Sequence, residues 1–528
     1  MTLEFRSLSL SHLGVIGSGQ IGPDIALHFA RELWPYRVRV TVVDVSEQAL
    51  AQGRTKLERK LEKDVQGKRL STEAAAAVRE LTRFTSDYQE LAGAGLVVEA
   101  ASENLELKRR IFADLRGRLG PEAALISNSS HLTPEEMFLG LSHPERGLVV
   151  HYFFPAERNP MVEVVAGAKT DPGLASDVLL LYQWLGKLPI RVGSRYGYAV
   201  DPIFEGQFLA AALCVEEGLG TVKEVDAVSR EALGATVGSF TAMNLAGGNP
   251  LIDHGLSECG RRFCGWFRSP ALLKRQLELG KPWDVPARGE TVNVEPERRE
   301  TIVRKLRGAN FGLVCHILDA GIIDIADHDL LLRAALDIRP PYAFMNELGV
   351  RESLRLVEEY AAAHPPFPVP ECLRRQAAAG RPFELPLVRR SDRGAVAVLE
   401  IRDPLRKNTL DDKICGELER HLSACRADAG VRAAVLTGFG RDAFASGPEG
   451  AALDALRESV RRLGKPLVCA LNGPADGAGR VVLGAAAAVL AAEPRPGAPA
   501  LAPSVETFPF PDLVERACAR ALELSMRA

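Results

Sequence analysis

Candidate strands alternate with stretches of helical spacing along the first 165 residues of the chain. The candidate strands are residues 13–17, 38–45, 81–86, 95–100, 124–127 and 147–152. The charged segment 46–81 between the second and third of them has a helical pattern. Such alternation predicts a doubly wound, Rossmann-type α/β domain built on a parallel sheet.

Four polar residues stand at or just after the ends of three of these candidate strands. They are Glu99, Asn128, Ser130 and His151. Since ligands bind outside the carboxyl ends of the strands in open α/β sheets, we expect these side chains to face a binding crevice. Glu163 lies in a further apolar run. Ser130, His151 and Glu163 supply a hydroxyl, a titratable base and an acid able to hold that base, which is what a proton-transfer site requires.

A glycine motif connects the first candidate strand to the first helix. Its expected cofactor-binding residues are Gly17, Gly19, Gln20, Ile21 and Gly22. Glycines let the backbone approach a pyrophosphate, and the helix N-terminus offers free N–H groups. Asp44 ends the second strand, where an acid can accept hydrogen bonds from ribose hydroxyls. Because no arginine follows Asp44, the motif favours NAD over NADP.

Residues 13 to about 350 resemble the 3-hydroxyacyl-CoA dehydrogenase family. The matching motifs are VIGSGQIGPDIA, Asp44, LVVEAASENLELK, SNSS, VVHYFF and VEVV, in the family's order. The resemblance implies NAD-dependent oxidation of a 3-hydroxyacyl-CoA, or the reverse reaction. It implies that Ser130 is the catalytic serine, His151 the general base and Glu163 its carboxylate partner. It also implies that Glu103 and Lys108 lie near the nicotinamide and ribose, and we expect Asn128 to bind the cofactor too.

Two residues depart from the family pattern. Phe154 and Asp201 stand where the family has asparagines. An ionised aspartate accepts hydrogen bonds but does not donate them, so it does not replace an amide that donates to a carbonyl oxygen. Either Asp201, which we still place in the catalytic set, stays protonated in an apolar pocket, or the substrate differs, for instance by a cyclic or branched acyl group.

The region after the predicted 1–198 domain is helical and contains an internal repeat. Glu217-Gly218 with Asp226 recurs as Ala320-Gly321 with Asp329, and Met243-Asn244 recurs as Met345-Asn346. This resembles the duplicated dehydrogenase domain of multifunctional fatty-acid oxidation proteins, and implies either a monomer with an internal pseudo-dimer or a homodimer. We predict an all-α domain over 199–362, and a proline-rich linker or extended clamp over 363–393.

Residues 394–528 resemble the N-terminal half of the crotonase (enoyl-CoA hydratase/isomerase) family. The motifs are DPLRKNTL, VRAAVLTGFGRDAF and KPLVCALNGPADGAG. The family holds a thioester oxyanion with two backbone N–H groups; these positions fall on Pro448, which has no N–H, and on Ala478. The hydratase glutamates fall on Val481 and near Ser504. We therefore expect a truncated, non-catalytic unit. The open alternatives are a non-catalytic NAD- and CoA-binding scaffold and a bifunctional hydratase–dehydrogenase.

Composition narrows the list of partners. The 528 residues carry a net charge of −3 with 25% charged residues, which gives no reason to expect nucleic acid or a membrane. The N-terminus lacks the pattern of an export signal, so we expect a cytoplasmic protein. The nine cysteines begin at Cys214 and form no CxxC pair, so no metal site is expected. The expected partner is an acyl-CoA thioester substrate.

Overall fold

The computed structural model describes residues 3–246, 249–448, 450–494 and 505–527. Within these ranges the strands are β1 (Glu4–Phe5), β2 (Leu8–Ser9), β3 (His12–Ile16), β4 (Arg39–Val43), β5 (Thr82–Thr85), β6 (Leu96–Glu99), β7 (Ala124–Ser127), β8 (Gly147–Tyr152), β9 (Met161–Val165), β10 (Leu188–Val192), β11 (Val388–Arg393), β12 (Val396–Ile401), β13 (Ala433–Gly438), β14 (Leu467–Leu471), β15 (Ala488–Ala492) and β16 (Glu506–Phe508).

The α-helices in the same ranges are α1 (Gly22–Leu33), α2 (Glu47–Gln66), α3 (Thr72–Leu81), α4 (Leu105–Arg118), α5 (Pro134–Phe138), α6 (Pro172–Trp184), α7 (Asp201–Glu216), α8 (Val222–Leu233), α9 (Ser239–Ala246), α10 (Asn249–Arg262), α11 (Ala271–Leu279), α12 (Pro296–Asp319), α13 (Ile325–Ala335), α14 (Pro341–Leu348), α15 (Val350–Ala363), α16 (Glu371–Ala379), α17 (Asp412–Ala427), α18 (Ala451–Arg462), α19 (Ala478–Leu483) and α20 (Leu513–Arg527). None of these helices is long and apolar enough to cross a membrane.

The first large sheet has the doubly wound order that the sequence predicts. Its strands lie in the order β10-β9-β8-β7-β6-β3-β4-β5, and every neighbouring pair is parallel except β8 with β9. Both faces are covered, since Val15 and Ile16 on β3 are both buried but belong to two different apolar clusters. The chain turns away from β3 in opposite directions, which opens a crevice at the carboxyl ends of β3 and β6.

The helical region repeats its contacts as well as its sequence. The Asn244 side chain donates to the Trp283 carbonyl at 3.0 Å and accepts from the Trp283 amide at 2.8 Å. In the second copy Asn346 makes the same two bonds with Phe383, at 2.9 and 2.6 Å. An amide that bonds both groups of one residue fixes that residue in place. The predicted duplication is confirmed, and it extends to residue 383.

The predicted linker over 363–393 is wrong. This range contains α16 and β11, and α16 is the second-copy counterpart of α11. Gln276 donates to the carbonyls of residues 281 and 282, and Gln376 donates to those of residues 381 and 382. The prolines that suggested a connector lie outside this helix. Pro370 directly precedes α16, and Gly380, with φ of +63°, ends it.

The C-terminal unit is a partial α/β domain, as its resemblance implies. Its sheet has the order β11-β12-β13-β14-β15-β16, with β11 antiparallel to β12 and the other pairs parallel. Helices α17 and α18 contribute to the apolar cluster on one face, and α20 to the cluster on the other.

The carboxyl ends of these strands face the dehydrogenase-like part of the chain. Arg441, just after β13, lies 2.7 Å from the Glu32 carboxylate and donates to the Trp184 carbonyl at 2.8 Å. Arg402, just after β12, lies 2.5 Å from Asp327 in α13. The C-terminal unit is therefore attached to both preceding parts of the chain.

Candidate active site

The glycine loop between β3 and α1 has the geometry of a phosphate cradle. A Cβ on Gly17, whose φ is +100°, would lie 2.5 Å from the Ala100 carbonyl oxygen, and one on Gly22 would lie 1.9 Å from the Gly17 carbonyl oxygen. Both positions therefore require glycine. A Cβ on Gly19 would meet no heavy atom within 4 Å. The open space at Gly19 lets a phosphate approach the backbone at the start of α1.

The other residues of the loop that are predicted to bind the cofactor lie at the start of α1 and at the end of β4. Gln20 is exposed, and the Ile21 carbonyl accepts the first hydrogen bond of α1. Asp44 follows β4, and its carboxylate accepts from the amides of Ser18 at 2.7 Å and Ser46 at 2.9 Å. These bonds hold the carboxylate beside the glycine loop. The donor set and the open space fit a dinucleotide with free ribose hydroxyls.

Lys108 lies behind the crevice rather than at its surface. Its side chain is 1% exposed, and its ammonium lies 2.7 Å from Glu99 and 3.3 Å from Glu103. Burial would raise the pKa of Glu103, but Lys108 and His131 outweigh it and hold that pKa below its usual value. Lys108 thus acts on the crevice through the position and charge of Glu103. Its predicted place near the nicotinamide and ribose stays a prediction.

Asn128 and Ser130 follow β7. Asn128 accepts a hydrogen bond from the Tyr152 amide at 3.0 Å, which fixes the end of β7 against the end of β8. Ser130 is half-buried at a bend, and its hydroxyl has no hydrogen-bond partner among the described residues. That hydroxyl is free to bond a ligand.

His151 and Glu163 face each other across the antiparallel pair β8 and β9. Their register makes them direct neighbours, and His151 Nδ1 lies 2.7 Å from Glu163 Oε2. The other Glu163 oxygen accepts from the Ala199 amide at 3.0 Å. Burial would lower the pKa of His151, but the carboxylates of Asp201 and Glu163 outweigh it and raise the pKa above its usual value. The pair is built to hold a proton on the imidazole.

Asp201 joins this pair from the helical region. It is the first residue of α7, and its Oδ2 lies 3.9 Å from His151 Nε2. Burial raises the pKa of Asp201 to about 6, against the opposing effect of two histidines. At neutral pH Asp201 is therefore ionised in most molecules. Phe154 is 56% exposed beyond the end of β8, while Phe153 packs its ring 4.7 Å from the His151 ring.

A second histidine belongs to the site, and sequence reasoning missed it. His131 Nε2 lies 2.7 Å from Glu205 Oε1 and 4.0 Å from Asp201 Oδ2. Burial would lower the pKa of His131, but Glu205, Asp201 and Glu103 raise it to about 9. The available signal was the position of His131 directly after Ser130. Nothing in the sequence pairs it with Glu205, which lies in another domain.

Comparisons with known proteins identify the family of the chain. Residues 12–195 match the family model described as the NAD-binding domain of 3-hydroxyacyl-CoA dehydrogenase. A 3-hydroxybutyryl-CoA dehydrogenase of Mycobacterium tuberculosis is 30% identical over 286 residues, which are 53% of this chain and 98% of that protein. The chain belongs to the 3-hydroxyacyl-CoA dehydrogenase family. It is an NAD-dependent oxidoreductase.

Three further comparisons concern a longer relative, the fold and the C-terminal unit. The human peroxisomal bifunctional enzyme is 31% identical over 238 residues, 45% of this chain and 32% of that enzyme. The crystal structure of a 3-hydroxybutyryl-CoA dehydrogenase from Escherichia coli K12 covers 71% of this chain and 99% of its own, with a TM-score of 0.61 and 21% identity. It shows a shared fold. Residues 391–501 match the enoyl-CoA hydratase/isomerase family model.

The C-terminal unit of the dehydrogenase lacks the expected pair of oxyanion donors. Pro448 has no N–H, and the amide of Ala478 donates to the Gly447 carbonyl at 2.9 Å. Val481 lies in α19, and no glutamate stands at this position. Ser504, near which the second glutamate of the crotonase pattern falls, lies outside the described residues.

Proposed function

We propose that the chain interconverts a 3-hydroxyacyl-CoA and the corresponding 3-oxoacyl-CoA through the His151 centre. The observation that carries this proposal is the 2.7 Å pair of His151 Nδ1 and Glu163 Oε2 at the carboxyl edge of the sheet that also holds the glycine loop. A buried imidazole with one nitrogen held by a carboxylate leaves the other nitrogen for a substrate proton.

His151, Glu163 and Ser130 each have a separate role in the proton transfer. In the oxidative direction His151 Nε2 takes the proton of the 3-hydroxyl group. Glu163, fixed by the Ala199 amide, accepts from Nδ1–H and stabilises the imidazolium that forms. The free hydroxyl of Ser130 orients the substrate oxygen toward His151. NAD, when bound, supplies the hydride acceptor.

The cofactor is held by the first half of the chain. The loop from Gly17 to Gly22 receives the pyrophosphate at the start of α1, and Asp44 accepts from the ribose hydroxyls. Asn128 holds β7 and β8 in register, so that the cofactor crevice and His151 keep a fixed relation. Glu103, positioned by Lys108, borders this crevice.

We infer that the acyl group differs from that of relatives with asparagines at positions 154 and 201. The exposed ring of Phe154 offers apolar surface where an amide would bond a polar group. This favours an acyl chain with apolar bulk close to C3, such as an alicyclic or branched one.

The test is the rate of NADH formation by the full chain with 3-hydroxybutyryl-CoA and with an alicyclic 3-hydroxyacyl-CoA. We expect turnover with both and a higher kcat/KM with the alicyclic thioester. Higher kcat/KM with the straight chain would overturn the acyl preference alone. Tight NAD binding without turnover of either thioester would overturn the proposed reaction and favour a scaffold role.

The C-terminal unit contributes packing rather than hydration in this proposal. Support comes from Pro448 and from the occupied amide of Ala478, which leave no donor pair for a thioester oxyanion. Its ion pairs with Glu32 and Asp327 attach it to both other parts of the chain.

A further inference from the structure

A second imidazole–carboxylate pair faces the His151–Glu163 pair across Asp201. His131 Nε2 lies 2.7 Å from Glu205 Oε1, the same separation as in the first pair. Both side chains are 2% exposed. Removing one partner of a buried ion pair leaves an uncompensated charge, so His131 and Glu205 stabilise each other's charged forms inside the site.

Residues of α7, α10 and the segment before α7 position the second pair. Glu205 lies one turn after Asp201 on α7, so both carboxylates point from the same helix face. A Cβ on Gly255 of α10 would lie 1.9 Å from Glu205 Oε1, so glycine is needed there to leave room for the carboxylate. The Tyr196 ring packs on His131 with centroids 5.2 Å apart.

Asp201 lies between the two imidazoles. Its Oδ2 is 3.9 Å from His151 Nε2 and 4.0 Å from His131 Nε2. These separations are too long for hydrogen bonds, but an opposite charge at about 4–6 Å strongly favours the ionised form of a carboxyl group. The charge of His131 therefore acts on Asp201 without a direct bond.

Titratable side chains from several neighbouring strands and helices surround Asp201 and His131. Asp201 is faced by His151 from β8, His131 from the bend after β7, Glu205 from its own helix and Glu163 from β9. His131 is faced by Glu205, Asp201 and Glu103. Cys259 of α10 lies 3.6 Å from Glu205. The carboxylates Glu205 and Glu163 disfavour the ionised form of Asp201, and the two imidazoles, His151 and then His131, oppose this effect.

We propose that His131, held by Glu205, is a positioning residue whose imidazolium charge keeps Asp201 ionised, and that ionised Asp201 selects the hydroxyl form of the substrate over the keto form. The hydroxyl of a 3-hydroxyacyl group donates to a carboxylate, whereas the carbonyl oxygen of a 3-oxoacyl group offers only lone pairs and is repelled by it. This inference rests on the proposed function, because it assumes that the C3 oxygen lies near His151.

The test measures binding rather than turnover. Acetoacetyl-CoA is titrated into the full chain with NAD, a combination that does not react, from pH 5 to 9. We expect its affinity to fall as the pH rises through about 6, where Asp201 ionises. In His131→Gln the midpoint of this fall moves upward by about 1 to 3 pH units, because the nearby positive charge is lost.

Double substitution separates an effect on Asp201 from an effect on His151. In Asp201→Asn the fall near pH 6 disappears, and adding His131→Gln changes nothing further. His364→Asn is the matched control, since the buried His364 lies 2.6 Å through Nε2 from the partly exposed Glu217, far along the chain. We expect this control to keep the wild-type midpoint.

An unmoved midpoint in His131→Gln overturns the proposal, and so does an equal shift in the Asp201→Asn background. If His131→Gln does not fold, carbon-13 labelled histidine spectra of the wild type supply the second readout, since the chain has 10 histidines. The His131 signal is expected to titrate near pH 9 and to titrate lower in Asp201→Asn, as coupling is reciprocal. An unchanged His131 titration overturns the proposal too. None of these readouts needs turnover, so failure of the proposed reaction is detected separately by the absence of NADH formation.

Discussion

The Ala478 amide donates to the Gly447 carbonyl at 2.9 Å, which uses the N–H that a crotonase-type site would present to its substrate. With Pro448 in the other donor position, neither N–H of the pair is available. We expect the full chain not to hydrate crotonyl-CoA, as followed by the absorbance of the enoyl thioester. Pro448→Ala restores one N–H but not the second, so it should stay inactive too. Measurable hydration by the wild type would contradict this account.

Removing the base or its partner should stop the dehydrogenase reaction. His151→Gln and Glu163→Gln are each expected to lower kcat by about 10²- to 10⁴-fold, the usual contribution of a general base. NADH affinity, measured by fluorescence, should stay within about twofold because neither residue lies in the glycine loop. His143→Gln is the control, since His143 pairs with Glu145 at 3.1 Å on the exposed surface. A normal kcat in His151→Gln would remove the assignment.

Asp201→Asn should add a hydrogen-bond donor to the site. The new amide donates to the carbonyl oxygen of a 3-oxoacyl-CoA, which ionised Asp201 does not. We expect reduction of acetoacetyl-CoA at pH 8 to become at least about tenfold faster, since one donor at a developing oxyanion contributes about 10²- to 10³-fold. Initial rates of NADH consumption measure this. Slower reduction at pH 8 would mean that Asp201 itself is needed for the chemistry.

The stability of the protein should fall between pH 6.5 and 9. The pKa of His131 is raised to about 9, above its usual value of 6.5, because the folded state favours the imidazolium. Its contribution is therefore fully present below pH 6.5 and is lost as the pH rises through 9. Thermal unfolding across this range should show a shallower decline in His131→Gln than in the wild type. Parallel curves would contradict the paired, protonated state of His131.

Arg441 should secure the C-terminal unit to the dehydrogenase. Arg441→Met removes both the ion pair with Glu32 and the bond to the Trp184 carbonyl, and hydrogen bonds to charged groups contribute about 1.5–3 kcal/mol. We expect faster limited proteolysis between the helical region and β11. Arg480→Met is the control, because Arg480 and Asp476 form an exposed pair at 3.6 Å. Equal cleavage of both variants would show that the contact is dispensable.

The doubly wound sheet and the first proton-transfer pair could be predicted because each follows from local pattern. Continuous apolar runs mark strands buried on both faces, and His151 and Glu163 lie on neighbouring strands close in sequence. His131 and Glu205 are separated by 74 residues and come from different domains. Their meeting depends on how α7 docks on the sheet, which sequence spacing does not encode.

The helix α16 was missed for a different reason. Prolines flank it, and its sequence, ECLRRQAAA, lacks the apolar periodicity that predicts a core element. The signal lay in the repeat itself, because Pro270, Gln276 and Gly280 recur as Pro370, Gln376 and Gly380. Extending the duplication past Asn346 would have predicted the helix.

The two copies of the helical unit make different contacts at equivalent aspartates. Asp226 in the first copy accepts two bonds from Thr241, both at 2.8 Å, and stays within its own unit. Its counterpart Asp329 pairs with Arg333, which reaches Asp403 of the C-terminal unit at 3.3 Å. In a symmetric dimer every substitution occurs twice, whereas in a tandem chain each copy changes alone. In this chain the second copy contacts the C-terminal unit, while the first copy carries the carboxylates of the active site.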